Sequence, residues 1–294
     1  MNNNEKIESY LAEQAIAENT CDRYRRVLRL YLDSNGDLEH VSPLELRSWL
    51  MSHPTWGPTM RWLAFAAIKK YLRWSYGENH PALKLKMRRL PSPPQRTLNT
   101  DQVRSLLHSF DRTTPKGCRD YALVLLLLDS GLRSSEICRL EIKKLDMKSR
   151  KLTVRVKGGE WGQAVFSDDT QAALLDWLKV RMRFVKSGCD TVFISLGGNR
   201  PGTAITRHGL QVIMRHWAAR VGFTEGLSPH DFRRTFATIA TRQGAPEQIV
   251  MRAGRWRDAE VFSRYTQSLQ PEDLEPYFPS VAVLNYIQKH RQST

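Results

Sequence analysis

Residues 228–238 read Ser-Pro-His-Asp-Phe-Arg-Arg-Thr-Phe-Ala-Thr, and the meaning of this stretch decides how the rest of the chain is read. Ser228 followed by Pro229 marks a helix start. His230 and Arg233 are three residues apart, so their side chains share one helix face. An imidazole beside a permanent guanidinium suits binding and proton management at a phosphate. Downstream, Tyr265 lies in Arg264-Tyr265-Thr266 and is a candidate nucleophile for the same phosphorus.

The composition agrees with a phosphate-rich partner. The chain has 294 residues, room for two domains, with 41% hydrophobic and 26% charged residues, a globular balance. The net charge of +15 and pI of about 9.9 favour a polyanion, most simply nucleic acid. No apolar run approaches the roughly 18 residues of a membrane span. The opening Met-Asn-Asn-Asn-Glu-Lys is not a signal peptide. Cys21, Cys118, Cys138 and Cys189 are scattered, as expected of reduced thiols in a cytoplasmic protein. The eight histidines show no metal-ligand spacing, so phosphate chemistry here must do without an obvious metal.

Residues 85–97 hold three prolines and several cations, a pattern that makes neither a helix nor a central strand. They read as a basic linker, suited to crossing a DNA backbone. Residues 1–84 before it form a small helical domain. Ile7, Leu11 and Ile16 begin one amphipathic pattern. A second runs from Thr20, a plausible cap, through Tyr24, Val27, Leu28 and Tyr31. A third starts at Ser42-Pro43, and a fourth covers residues 59–76. Arg23, Arg25 and Arg26 on the second helix, Arg61, Lys69 and Arg73 on the fourth, and Arg88 and Arg89 in the linker are the candidate DNA contacts. Trp62, Trp74 and Trp177 are assigned to packing.

Residues 98–270 form a second, mixed domain. Thr100-Asp101 caps a helix, residues 119–129 form an apolar helix ending at Gly131, and another begins near Ser134. Residues 151–156 alternate as a strand, Gly158-Gly159 turns the chain, and residues 163–166 return. Helices follow over residues 170–183, 206–221, from His230, and around 246–252 and 259–265. Residues 271–294 form an amphipathic tail.

Cleaving a phosphodiester without a metal requires an in-line nucleophile, cations on the non-bridging oxygens and a general acid for the leaving oxygen. Arg133, just past Gly131, and Lys157, at the hairpin tip, supply the missing cations. Each has an ordinary reading taken alone. Arg133 and Glu136 could be a surface pair, and Lys157 a solvated lysine.

Together, Arg133, Lys157, His230, Arg233 and Tyr265 resemble the catalytic set of the tyrosine recombinase (phage integrase) family. The family's G-L-R-x-x-E box matches Gly131, Leu132, Arg133 and Glu136. Its H-x-L-R-[HR]-T-x-A-T box matches His230, Phe232, Arg233, Arg234, Thr235, Ala237 and Thr238. Its lysine lies on a β-hairpin turn. A histidine or tryptophan precedes its nucleophile by nine residues, as Trp256 precedes Tyr265. Thr20, Tyr24 and Leu28, with the aromatic fourth helix, are similar to its helical core-binding domain. One departure stands out: where the family commonly has L-G-H, this chain has Gly254-Arg255-Trp256. An indole N–H donates a hydrogen bond but exchanges no proton near neutral pH. His230 is thus left as the one imidazole matched to a catalytic position.

The resemblance implies a mainly α fold with a small β-sheet, a SAM-like helical domain followed by a DNA breaking-rejoining catalytic domain. It implies a two-domain Cre- or Xer-like recombinase without an added arm-binding domain. Tyr265 would form a 3′-phosphotyrosyl link, Arg133 and Arg233 would hold the phosphate, and Lys157 would protonate the leaving oxygen. His230 and Trp256 would assist, and Glu136 would orient. No cofactor or metal would be needed. The partners would be double-stranded DNA with inverted-repeat core sites and further copies of the chain. The free monomer would assemble as a homotetramer on two sites, its tail docking on a neighbour, and would resolve a Holliday junction in the cytoplasm. A type IB topoisomerase or telomere resolvase shares this chemistry, and a non-catalytic DNA-binding regulator shares the fold.

Overall fold

The computed structural model of the chain describes residues 2–88, 96–156, 159–224 and 226–266, without the side chains of residues 260, 261, 264 and 265. Lys157, Arg89 and the tail over residues 271–294 fall outside the described residues. The chain divides into two compact units, Met1–Pro93 and Pro94–Thr294.

The first unit is helical. It comprises α1 (Asn3–Glu13), α2 (Glu18–Asn35), α3 (Pro43–Met51) and α4 (Pro58–Tyr76), then a 3₁₀ turn at Pro81–Lys84. Their apolar stripes meet in one core that includes Ile7, Tyr10, Leu28, Leu46, Leu50, Ile68 and Leu72. Burying each such side chain contributes about 1.5–3 kcal/mol. Tyr10 and Tyr71 pack edge to face at 5.4 Å, and the Trp74 indole donates to Glu13 at 2.6 Å. Ser42 caps α3 in a reciprocal pair with Glu45. Two caps differ from the sequence reading. The second helix starts at Glu18 rather than at Thr20, with Ala17 as its cap; Glu18 in the first turn complements the helix dipole. Ile16 lies beyond the end of α1.

In the second unit, Asn99 and not Thr100 caps α5 (Thr100–His108), pairing reciprocally with Gln102. Asn, Thr and Asp in succession are near-equivalent caps on paper, and only the chain's direction at Asn99 selects among them. The centre is α6 (Pro115–Ser130), followed by the short α7 (Ser134–Cys138). Leu123, Val124, Leu126 and Leu127 of α6 are wholly buried. Around it stand α8 (Asp168–Arg181), α9 (Arg207–Arg220) and α10 (Pro229–Arg242). The Trp217 indole donates to Asp120 at 2.8 Å, tying α9 to α6 through the core.

The sheet runs β1–β2–β3, all antiparallel: β1 (Leu145–Asp146), β2 (Lys151–Arg155) and β3 (Trp161–Val165). Lys151 faces Val165 and Arg155 faces Trp161. Leu152, Val154 and Ala164 are buried, the period-two alternation of a half-covered sheet. The return strand begins at Trp161, two residues before the Gln163 expected. The two-residue β1 was not anticipated; so short a strand leaves no alternation to read. The chain ends its described part with α11 (Glu247–Gly254) and α12 (Ala259–Thr266). Among the described residues no helix is long and apolar enough to cross a membrane, and no cluster of His, Cys, Asp and Glu is arranged to hold a metal.

Candidate active site

The site begins where α6 stops. Gly131 takes the left-handed conformation, φ 55°, as the C-cap of α6. A Cβ there would also lie 2.7 Å from Phe236 Cδ1, so both conformation and space require glycine. The reversal delivers Arg133 to the N-cap of α7. Its backbone N–H donates to Glu136 Oε2 at 2.9 Å and its Nη1 to Oε1 at 2.8 Å. The Glu136 side chain is 1% exposed and that of Arg133 31%, so the carboxylate is internal and the guanidinium reaches solvent. Burial raises the Glu136 pKa. The charge of Arg255, then the N–H and guanidinium of Arg133, outweigh it and hold the carboxyl below its ordinary value.

Arg233, on α10, is 1% exposed. Its guanidinium donates to the carbonyls of Gly131 and Gly254, each at 2.5 Å, and lies 4.1 Å from the Trp256 ring centroid. Those carbonyls stand at the C-terminal ends of α6 and α11, the negative ends of two helix dipoles, and the indole face adds a cation–π contact. Trp256 is seated on Gly254, where a Cβ would lie 1.8 Å from its ring. It stacks on Phe236 at 6.1 Å and meets Phe262 edge to face at 5.2 Å. Phe262 is wholly buried and anchors α12, the helix that carries Tyr265 in its last turn.

His230 is the second residue of α10 and is exposed to solvent. Desolvation by the protein behind the ring is the largest influence on it, followed by the charges of Arg234 and Arg233. These, with Arg133, lower its pKa, and Asp231 opposes them. The neighbouring Asp231 is buried and fully engaged. It accepts from Ser228 N (2.7 Å), Ser228 Oγ (2.8 Å), Arg96 (3.1 Å) and Arg234 (2.5 Å). Because folding favours the neutral imidazole, the stability it contributes is present above the ordinary histidine pKa near 6.5. That stability is lost as pH falls through 6.5 toward the lower folded value. An arriving phosphate reverses the preference. Binding of a DNA duplex near pH 6.5 is therefore expected to take up protons, seen as a calorimetric enthalpy that varies with buffer ionisation. His230→Asn should remove most of that variation.

The hairpin places its turn between Val156 and Glu160, whose backbones pair at 2.8 Å, with Gly159 at φ 87°. Lys157, expected at the hairpin tip, lies outside the described residues. Glu160 pairs with Arg257, next to Trp256, which brings the hairpin to the segment between α11 and α12.

Three functional-looking residues were not singled out in the sequence: Asp231, Arg255 and Arg257. Arg255 alone left a signal, as an arginine standing where L-G-H has glycine. In the first unit, Arg23, Arg26 and Arg73 are exposed, and Arg88 is exposed beyond the 3₁₀ turn. Arg25 is committed to Glu8 and Asp22, and Arg73 pairs with Glu78 at 3.1 Å. Arg61 donates to the His53 carbonyl, and Lys69 lies over Phe65 with its pKa lowered by burial and then by Arg73.

The family model keeps to the second unit, and the longer matches extend into the first. The model of the phage integrase family matches residues 96–272, more than half of the chain. The tyrosine recombinase XerD of Ralstonia nicotianae is 28% identical over 257 residues, covering 81% of this chain and 80% of the relative. The tyrosine recombinase XerC of Oceanobacillus iheyensis is 32% identical over 175 residues, 59% of this chain and 57% of the relative. Among solved structures, the Tn1549 transposon integrase with transposon right end DNA superposes with a TM-score of 0.73 at 16% identity, over 96% of this chain and 100% of that one. The XerH site-specific recombinase bound to palindromic difH substrate gives 0.72 at 17% identity, over 93% and 83%. The fold is thus that of the recombinases, with a mainly helical body and a small sheet. With the family model spanning the whole of the site described, the chain belongs to the phage integrase family, the tyrosine recombinases.

Proposed function

We propose that this protein is a site-specific DNA recombinase, cutting and rejoining duplex DNA by transesterification. The observation that carries the reading is a convergence. Arg133 and Arg233, a hundred residues apart, meet at the Gly131 reversal, with Trp256 beneath Arg233 and the His230 ring within reach of both charges. Tyr265 attacks the scissile phosphorus, a 3′-phosphotyrosyl bond forms, and the 5′ oxygen leaves. Arg133 and Arg233 stabilise the charge on the non-bridging oxygens. For Arg233 this requires the guanidinium to exchange a carbonyl partner for phosphate. Above its phosphate-raised pKa, His230 is neutral and accepts the Tyr265 proton, and Lys157 protonates the leaving oxygen. The bond energy is held in the covalent link, so rejoining needs no nucleotide.

The DNA partner is a duplex with inverted-repeat core sites, contacted by Arg23, Arg26, Arg61, Lys69, Arg73 and Arg88 of the first unit among others. Four copies act on two such sites. The relatives' names and their DNA-bound structures support this reading.

The test is trapping on nicked suicide duplexes drawn from DNA flanking the gene. The wild-type chain should accumulate a covalent adduct, and plasmids with two sites should recombine where plasmids with one do not. Relaxation of a one-site plasmid would instead indicate a topoisomerase. No adduct on any duplex would overturn the enzyme reading in favour of a DNA-binding regulator. Lys157→Ala should cleave about 10²–10⁴-fold more slowly. A substrate with a 5′-bridging sulfur, whose thiolate leaves unprotonated, should restore the rate. Absence of rescue removes Lys157 from the general-acid role.

A further inference from the structure

Arg255 is an internal cation that the recombinase chemistry leaves without a task. Its backbone is left-handed, φ 61° and ψ 40°, a region that favours glycine. Its side chain is 8% exposed. The guanidinium donates to Glu136 Oε2 at 3.1 Å, to the Ser130 carbonyl at 3.3 Å and to the Ala253 carbonyl at 2.8 Å. Those partners belong to the start of α7 and the ends of α6 and α11. The stem runs across β3 at Gly162, where a Cβ would lie 2.8 Å from Arg255 Cδ. A strained backbone, a buried charge and a bare strand position all serve to deliver one guanidinium to Glu136.

We propose that Arg255 is a positioning residue for DNA cleavage. As the second cation on Glu136, it lets that carboxylate aim the Arg133 guanidinium without neutralising it. This rests on the reading that Arg133 holds the scissile phosphate. A carboxylate paired with Arg133 alone makes a neutral pair, and the phosphate then competes with Glu136 for the guanidinium. With Arg255 present, two cations share one carboxylate and a net positive charge remains at the mouth of the site. The geometry divides the carboxylate accordingly: Oε1 takes the Arg133 guanidinium, and Oε2 takes Arg255 and the Arg133 backbone N–H. Among the charges that hold Glu136 ionised against burial, that of Arg255 is the largest. The same guanidinium references the β2–β3 hairpin, through Gly162, to the Arg133 turn.

The test compares single-turnover cleavage of a nicked suicide duplex with the Kd for the intact duplex. Arg255→Gly suits the left-handed backbone. It should slow cleavage about 10–100-fold with little change in Kd, as expected for a misaimed group. Arg255→Gly combined with Glu136→Gln should recover much of that loss, because removing the carboxylate's charge frees Arg133 again. A purely structural Arg255 predicts the opposite, a double variant no better than the single one. Should Arg255→Gly fail to fold, Gly162→Ala displaces the stem while keeping every charge, and slower cleavage at unchanged Kd is again expected. Wild-type rates in whichever of these variants folds, or no recovery in the double variant, overturn the role. A wild-type chain that forms no adduct sinks the recombinase reading itself; a wild type that cleaves beside an equally active Arg255→Gly sinks only this inference.

Discussion

Tyr265→Phe is expected to bind duplex DNA as the wild type does and to form no covalent adduct, with cleavage reduced by roughly 10⁴-fold or more. The substitution removes one oxygen and keeps the ring. The helix that carries it is held elsewhere, by Phe262 buried against Trp256, so the fold has no reason to change. What is lost is the only atom that can bond to phosphorus from that position. Water can still enter, but without the orientation that makes a bound nucleophile effective. Denaturing electrophoresis of a nicked duplex separates the outcomes. Persistence of the adduct in Tyr265→Phe would assign the nucleophile to another residue.

Arg233→Ala is expected to fail twice, in stability and in chemistry. The guanidinium fills a site enclosed by the C-terminal ends of α6 and α11 and by the Trp256 ring. Truncation leaves the Gly131 and Gly254 carbonyls short of donors and opens a cavity beneath the indole. The combined cost is about 3–5 kcal/mol, a fall in melting temperature of roughly 10 °C for a unit of this size. Cleavage by the fraction that folds should drop about 10²–10³-fold, the usual effect of losing one donor to a developing oxyanion. Arg233→Lys separates the two losses. It keeps the charge but cannot span two carbonyls, so it should regain part of the rate and little of the stability. Thermal unfolding and single-turnover cleavage, measured on both variants, check this. A fully stable Arg233→Ala would mean that the two helix ends do not depend on the guanidinium.

The family boxes were legible because their chemistry is local. Gly131 announces a helix end by type alone, Ser228-Pro229 announces a start, and the spacing of His230 and Arg233 sets a shared face. Helix caps were less legible. Asn99, Thr100 and Asp101 all have the right side chain, and the choice depends on where α5 lies against the rest of the unit. The role of Arg233 was read only in part: its type and place were clear, but nothing local showed that it would be buried among carbonyls. Arg25 and Arg73 looked like free cations in the sequence. Glu8 reaches Arg25 from another helix, a pairing seventeen residues apart that helical spacing does not express.

The sequence by itself determined that the fold is mainly helical with a small sheet, and it nominated the residues suited to phosphate chemistry, because residue type, spacing and hydrophobic period act within a few turns of chain. Only the tertiary structure decided that Glu136 is shared by two arginines, that the backbone at Arg255 is left-handed, and that Asp231 is spent on Ser228, Arg96 and Arg234. Those are contacts between segments many residues apart. Their energies depend on burial and on the partner across the gap, and neither is written at the position itself.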